Sequence, residues 1–175
     1  PKYPVFRLSV QGGWSQRLAQ IPDGTSSEMT TYIKELKRGL NLGVDAAWYG
    51  TESFGFGLKY SRFHSKNSRD GAFSDNVGIH FFGPALASRL ISRNRKGALI
   101  YNLAFGLMNL RNKAISGNNE ITIQGSTAGL ACDLGYDFGI NNQMSFGLQA
   151  SFFTGSLGSL KIQEGQSTRK IQLDP

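Results

Sequence analysis

The sequence has a single cysteine, Cys132, which excludes an internal disulfide. Its 5 prolines stand against 22 glycines, a balance that suits close-packed strands better than a disordered or collagen-like chain. No apolar run approaches the roughly 20 residues of a transmembrane helix, although hydropathy detects membrane-spanning strands poorly. Helix-period patterning is scarce. At 175 residues the chain is one domain by size.

The formal net charge of +7 is compatible with nucleic acid, anionic lipid or no charged partner at all. Because the sequence has neither a nucleic-acid-binding motif nor aromatic residues interleaved with the basic ones, we expect no nucleic-acid partner. The chain begins at Pro1 without a charged and apolar leader, so we expect any export signal to have been removed.

Apolar and polar residues alternate with period two, which is typical of β-strands. Runs of about ten residues are what a tilted strand needs to cross a bilayer, and they are longer than the strands usual in soluble sheets. Seven such runs are present: Phe6 to Ser15, Leu40 to Tyr49, Phe54 to Phe63, Val77 to Leu90, Leu99 to Met108, Ala128 to Gly139 and Met144 to Phe153.

The two faces of these runs differ in chemistry. One face carries no charge, whereas nine of the 32 positions on the other are glycine and the rest include all the charges. A water-facing strand surface would not favour so many glycines, but a narrow tube has room only for small residues. In "GLACDLGYDFG", residues 129–139, we therefore expect Asp133 and Asp137 to face inward and Leu130 and Leu134 to face lipid.

Long and short connections alternate between the runs. The long segments are 16–39, 64–76, 109–127 and 154 onward, and the short ones are 50–53, 91–98 and 140–143. Bacterial outer-membrane barrels have short periplasmic turns and longer extracellular loops, so this pattern predicts a periplasmic N-terminus.

The first long connection contains the sequence "TSSEMTTYIKELKRG". Thr25 and Glu28 have capping-box spacing, and Met29, Ile33 and Leu36 follow at helical spacing. This pattern predicts a short helix in the first extracellular loop.

The stretch "FFGPALASRLIS", residues 81–92, departs from strict alternation. Phe81 is placed outward by the upstream pattern, whereas Arg89 is placed inward by the downstream one. One extra residue at Gly83 or Pro84 would reconcile the two, so we expect a β-bulge there.

Three segments resemble the small porin-like outer-membrane β-barrel domain common in Bacteroidetes-type bacteria: "LKRGLNLGVDAAWYG", "GIHFFGPALASRLISRNRKGALIYNLAFGL" and "LGYDFGINNQMSFGLQASFFTGSL". The resemblance implies an all-β, antiparallel, up-and-down transmembrane barrel of eight strands, with no reaction, substrate or cofactor. Only seven runs are visible, and a last strand ending in an aromatic residue is missing after "IQLDP". We therefore expect residues 1–175 to form a single barrel domain that lacks its final strand.

Buried charges must be paired, so the inward-facing charged residues should form a network. We expect a structural brace, with a proton or ion path as the alternative, because small barrels are usually plugged by side chains. His80 lacks a second histidine or cysteine on its face, so we expect a hydrogen-bonded lumen residue and no metal site. The predicted network consists of Arg7, Asp45, Lys59, His80, Arg89, Asp133 and Asp137.

"RFHSKNS", residues 62–68, suggests an enzyme hypothesis, because some outer-membrane barrels deacylate lipid A with a histidine and a serine. That chemistry needs both side chains on one face. His64 and Ser65 are adjacent and point to opposite faces of a strand, so we predict no catalytic residue.

Basic residues cluster in the segments predicted to be extracellular. Lipopolysaccharide phosphates are the natural anionic partner there, with solvated loop charge as the alternative. The candidate contacts are Lys34, Lys37, Arg38, Lys66 and Arg69.

The sequence therefore predicts a non-enzymatic protein of the bacterial outer membrane with a structural, adhesive or binding role through its loops. A narrow channel is the second hypothesis, a lipid A-modifying enzyme the third and a soluble lipocalin-like binder the fourth. We predict no cofactor, and the sequence specifies neither the ligand nor the oligomeric state.

Overall fold

The computed structural model describes residues 4–18, 26–69, 73–116, 119–141, 143–164 and 167–172. Within these ranges the chain forms strands and one short helix. The elements are β1 (Phe6–Gln16), α1 (Ser27–Leu36), β2 (Arg38–Tyr49), β3 (Phe54–Arg69), β4 (Phe73–Ile91), β5 (Gly97–Ser116), β6 (Asn119–Gly139), β7 (Ser145–Gly155), β8 (Ser159–Glu164) and β9 (Ser167–Gln172).

The strands form one antiparallel, up-and-down sheet in which β1 to β6 are neighbours in chain order. Both β7 and β8 pair with β6, β7 along Gly129–Gly139 and β8 along Ile121–Gln124. The chain then turns back, and β9 pairs with β8. Among the described residues β1 has β2 as its one strand partner, so the sheet is open there.

The seven predicted runs correspond to β1 to β7, but several strands are longer than their apolar patterns. Segments 64–76 and 109–127, expected to be long loops, largely continue as strand, with β3 ending at Arg69 and β5 at Ser116. Segment 64–69 is polar on both faces, and Leu110 and Ile123 of segment 109–127 lie on the opposite face from the apolar residues of the adjacent runs. The outward apolar alternation therefore ends while the backbone ladder continues. The strands β8 and β9, which were not predicted, lie in the segment expected to be a long connection after residue 153.

Side-chain exposure alternates along the strands as the sequence predicts. In β6, Leu134 is 54% exposed, whereas its neighbour Asp133 is 1% exposed. The same contrast separates exposed Leu42 from buried Asp45 in β2. The apolar face of the sheet is therefore its outer face, and the glycine-rich, charged face is buried.

The predicted β-bulge in β4 is wrong. The pairing of β4 with β3 and with β5 keeps one register on both sides of Gly83 and Pro84. Phe81 is 2% exposed and Phe82 is 55% exposed, so Phe81 faces inward and the alternation is unbroken as far as Arg89. The prediction failed because Phe81 and Phe82 are adjacent, so the pattern alone does not tell which of the two faces outward.

Two glycines explain how an aromatic side chain fits inside β4. A Cβ atom on Gly83 would collide with the backbone of Phe105 and Gly106, and one on Gly106 would collide with that of Phe82 and Gly83. The two strands therefore approach each other where neither residue has a side chain. The buried Phe81 packs next to this point against Ala104.

The predicted helix is confirmed as α1, between β1 and β2. Its N-cap is Ser26, whose hydroxyl accepts a hydrogen bond from the amide of Met29 at 3.3 Å. Thr25, expected to cap the helix, lies outside the described residues. Leu36 packs with Phe63 and Val77, which fixes the helix on the inner face of β3 and β4. In the described part of the chain, no helix has the length and apolar character that crossing a membrane requires.

Candidate functional site

A salt bridge between Arg7 and Asp137 shows that the sheet is rolled. Arg7 lies in β1 and Asp137 in β6, five positions along the sheet, which is about 24 Å in a flat sheet with strands ~4.8 Å apart. Nevertheless the Arg7 Nε atom donates to Asp137 Oδ2 at 3.0 Å, and Nη2 lies 3.3 Å from Oδ1. The inner face therefore encloses a space whose opposite walls are in contact.

Lys59 lies between two carboxylates at the centre of this space. Its Nζ atom donates to Asp133 Oδ2 at 2.9 Å and to Asp45 Oδ1 at 3.2 Å. Asp45 and Lys59 are direct cross-strand partners in β2 and β3, whereas Asp133 comes from the opposite wall. We call Asp45, Lys59 and Asp133 the central triad.

The central triad is enclosed by protein side chains. All three residues are buried, and Gln11 donates from Nε2 to Asp45 Oδ2 at 2.6 Å. The Lys59 ammonium lies 5.6 Å from the centre of the Phe153 ring. Asp133 Oδ1 is buried with no hydrogen-bond partner among the described residues. With two carboxylates and one ammonium, the central triad carries one uncompensated negative charge.

Aromatic and small side chains fill the interior beside the central triad. Phe81 and Phe153 meet edge to face, with ring centres 5.5 Å apart. Phe81 also packs against Ala104 and Ala131 from β5 and β6. Because side chains from both walls meet here, the interior is packed at this level.

Arg89 and Tyr49 form a second interior contact near the short turns. The guanidinium of Arg89 lies 3.8 Å from the centre of the Tyr49 ring, and its Nε atom donates to the carbonyl oxygen of Glu52 at 2.8 Å. This arrangement ties the turn between β2 and β3 to β4. Tyr49 was not predicted as part of the site, although its inward position in the alternation of β2 was visible in the sequence.

His80 lies on the outer face of the sheet, which corrects its predicted place in the lumen. The register of β4, which has no bulge, puts His80 on the opposite face from its buried neighbour Phe81. Its Nδ1 atom is hydrogen bonded to the Tyr60 hydroxyl at 2.9 Å. No three histidine, cysteine, aspartate or glutamate side chains in the described residues converge as a metal site would require.

The remaining predicted interior residues fall into three separate contacts. Arg7 pairs with Asp137, Lys59 joins Asp45 and Asp133, and Arg89 stacks on Tyr49. The structure thus brings six of the seven predicted residues to the inner face.

The residues of the deacylase hypothesis point apart. Ser65 is buried and its hydroxyl donates to the carbonyl oxygen of Arg38 at 2.6 Å. Its neighbour His64 lies on the opposite face of β3. The Ser65 side chain is therefore bonded to the backbone of the neighbouring strand β2.

The predicted loop cations lie at the long-connection end of the sheet. Lys34 in α1, Arg38 in β2 and Lys66 in β3 are exposed, and Lys37 is half-buried at the C-terminal end of the helix. The side chain of Arg69 lies outside the described residues. The sequence analysis did not include Arg62, which is exposed on the outer face of β3 near the end of the predicted run Phe54 to Phe63.

A polar network holds α1 on the strands. The Tyr32 hydroxyl donates to Asp75 Oδ2 at 2.8 Å, and Asn112 donates to Asp75 Oδ1 at 3.2 Å. Asn67 donates to Glu35 Oε2 at 2.8 Å. Burial and the hydrogen bond to Asp75 raise the pKa of Tyr32 to about 12. These contacts could not be predicted from the sequence, since they join segments expected to be loops.

Comparison with known proteins found no match to this chain among family models, curated proteins or solved structures.

Proposed function

We propose that this chain is an integral β-barrel protein of the bacterial outer membrane. We infer a non-enzymatic protein with a packed polar interior and a structural, adhesive or binding role at its long-connection end. One observation carries the proposal: large apolar side chains line the outer face of β1 to β7, while Asp45, Lys59, Arg89 and Asp133 are buried inside. The outer residues Leu42, Phe56, Phe105 and Leu148 are each more than half exposed.

The size of the apolar surface supports lipid contact. Soluble monomers rarely expose continuous apolar patches beyond a few hundred Å². Here exposed apolar residues recur on every strand from β1 to β7. In water this surface would cause association, whereas hydrocarbon solvates it. Strand pairing satisfies the backbone groups of the inner strands β2 to β6, and the free edge of β1 would need a partner strand in a membrane interior.

The filled interior supports a role without steady transport. The contacts of Phe81 with Phe153 and of Lys59 with both walls occupy the space through which solutes would have to pass. We infer that the protein acts by binding at its ends.

We further propose that lipopolysaccharide phosphates contact the long-connection end. Arg38 and Lys66 are exposed on the outer face, beyond the apolar residues of β2 and β3. Lipid A phosphates lie at this depth beside an outer-membrane protein, and Arg and Lys pair with phosphate through charge-assisted hydrogen bonds. Lys34 on α1 extends the same basic surface.

A narrow channel is the second candidate, favoured by one cavity. A cleft of ≈ 450 Å³ lies between β1 and β7 and is lined by polar residues such as Gln11, Asn41 and Gln149. Single-channel recording in planar bilayers separates the candidates, because a plugged interior passes no steady current and a water-filled cleft does.

The experiment that tests the membrane proposal is reconstitution of the full chain into lipid vesicles. We expect the protein to remain with the vesicles after carbonate washing and to migrate differently on gels with and without heating. A chain that stays monomeric and dispersed in buffer without detergent would contradict the proposal. It would instead favour a soluble binder.

A further inference from the structure

A second cavity, of ≈ 640 Å³, opens at the short-turn end of the sheet. It lies between the start of β1 and the adjoining ends of β4, β5 and β6, and we call it the arginine pocket. Its charged lining residues are Arg7, Arg89, Arg95 and Asp137. Within this lining Arg7 and Asp137 form a salt bridge.

Arg89 carries a buried charge, and no carboxylate of the described residues forms a salt bridge with it. The residue is 5% exposed, and its side chain makes one hydrogen bond within the described chain, from Nε to the carbonyl oxygen of Glu52. Its guanidinium is held flat against the Tyr49 ring at 3.8 Å, so its orientation is fixed. A buried cation is costly unless an anion accompanies it, and Asp137 already pairs with Arg7.

The Tyr49 hydroxyl supplies an independent indication of a ligand. It is buried and has no hydrogen-bond partner among the described residues. Tyr49 does not itself line the cavity, but its ring lies 3.8 Å from the guanidinium of Arg89, which does. An unpaired buried hydroxyl is costly, and an anionic acceptor would remove this cost.

The remaining lining of the arginine pocket is largely apolar. Ile91, Ile100 and Met144 line it together with residues of β1. Sites for small molecules combine such walls with a few polar groups that fix the orientation of the ligand. The volume is ample for a ligand that has a charged head and a short hydrocarbon part.

We propose that the arginine pocket binds a small organic anion with a phosphate or carboxylate head and a short apolar portion. Arg89 and Tyr49 hold the head group, and Ile91 and Ile100 contact the apolar portion. Phosphate offers more negative charge and more acceptor oxygens than carboxylate to the planar donor group of arginine, so phosphate binds more tightly. The proposal requires only the rolled sheet and does not depend on membrane insertion.

The test is isothermal titration calorimetry on the full chain in non-ionic detergent. Butyl phosphate, butyrate, inorganic phosphate and butanol separate the contributions of the head group and the hydrocarbon. We expect butyl phosphate to bind most tightly, butyrate and inorganic phosphate more weakly, and butanol least. Equal affinity for butanol and butyl phosphate, or no binding of butyl phosphate, would overturn the proposal.

Three variants locate the binding event. We expect Arg89→Gln to weaken butyl phosphate binding about tenfold or more and Tyr49→Phe about three- to tenfold, since each removes a donor to a charged group. Arg93→Gln is the matched control, because Arg93 is exposed in the neighbouring turn and does not line the pocket. Tyr49→Phe keeps the ring beneath Arg89 and decides the matter if Arg89→Gln does not fold. An equal loss in Arg93→Gln, or unchanged affinity in Tyr49→Phe and any folded Arg89→Gln, would refute the site.

Discussion

The Lys59 ammonium of β3 and the Asp133 carboxylate of β6 are 2.9 Å apart, although β4 and β5 separate their strands in the sheet. This contact joins opposite walls of the rolled sheet. It also explains why charged residues occur on a face otherwise rich in glycine and alanine. Lys59 offsets one of the two carboxylate charges buried beside it.

The first prediction concerns the charge balance of the central triad. Lys59→Met leaves Asp45 and Asp133 buried without a cation, so we expect the free energy of unfolding to fall by about 3–5 kcal/mol. Asp45→Asn leaves one lysine facing one carboxylate and should cost less. Urea unfolding of the reconstituted protein measures both.

Lys66→Met is the matched control for Lys59→Met, since Lys66 is exposed on the same strand. Its effect should stay within about 0.5 kcal/mol. Equal free energies of unfolding for Lys59→Met and this control would refute a stabilising role for the central triad.

The second prediction uses the close approach of β4 and β5. A Cβ atom at position 83 meets backbone atoms, so Gly83→Ala must displace a strand, and we expect a loss of about 1–3 kcal/mol. Gly13→Ala is the control, because a Cβ atom there has no neighbour within 4 Å. Equal unfolding midpoints for the two variants would contradict the register described for β4.

The third prediction concerns Tyr32 and pH. Because the pKa of Tyr32 is raised from 10.0 to about 12 in the folded protein, its neutral form stabilises the docked helix. This contribution is complete below pH 10 and is lost as the pH rises to about 12. The ultraviolet absorbance of tyrosinate, recorded as a function of pH, measures the titration. The difference between the wild type and Tyr32→Phe should titrate near 12, and a difference that titrates near 10 would contradict the bond to Asp75.

The fourth prediction concerns the basic surface. Replacement of Lys34, Lys37, Arg38 and Lys66 by glutamine should weaken association with vesicles that contain lipid A, and added salt should reduce the wild-type affinity in the same way. Vesicles of neutral lipid are the control, and all variants should bind them equally. Loss of binding to both vesicle types would indicate a folding defect, and unchanged binding to lipid A would refute the phosphate contacts.

The alternation of residue types predicted the faces of most strands, because side-chain burial in a sheet has period two. It failed in β4, where Phe81 and Phe82 are both aromatic and the upstream parity was assigned to the wrong face. It also missed the ends of β3 and β5, because the outward apolar alternation stops before the strands do. Strand pairing uses backbone N–H and C=O groups and does not require that alternation, so the strands continue.

The candidate site was predictable in its composition and not in its contacts. Inward placement of Asp45, Lys59 and Asp133 follows from parity within each strand. The meeting of Lys59 with Asp133 depends on the curvature of the whole sheet, which no local pattern encodes. The stacking of Arg89 on Tyr49 depends on the same curvature.

The central claim is that hydrocarbon contacts the outer face, and spin labels test it most directly. In a Cys132→Ala background, a single cysteine that carries the spin label replaces either Phe105 or Asn76. Phe105 lies within the apolar band, and Asn76 lies on the same face near the start of β4. With the protein in vesicles, we predict that the label at 105 collides mainly with oxygen, which concentrates in lipid. The label at 76 should collide mainly with a water-soluble nickel chelate. Frequent nickel collisions at both positions would contradict the account.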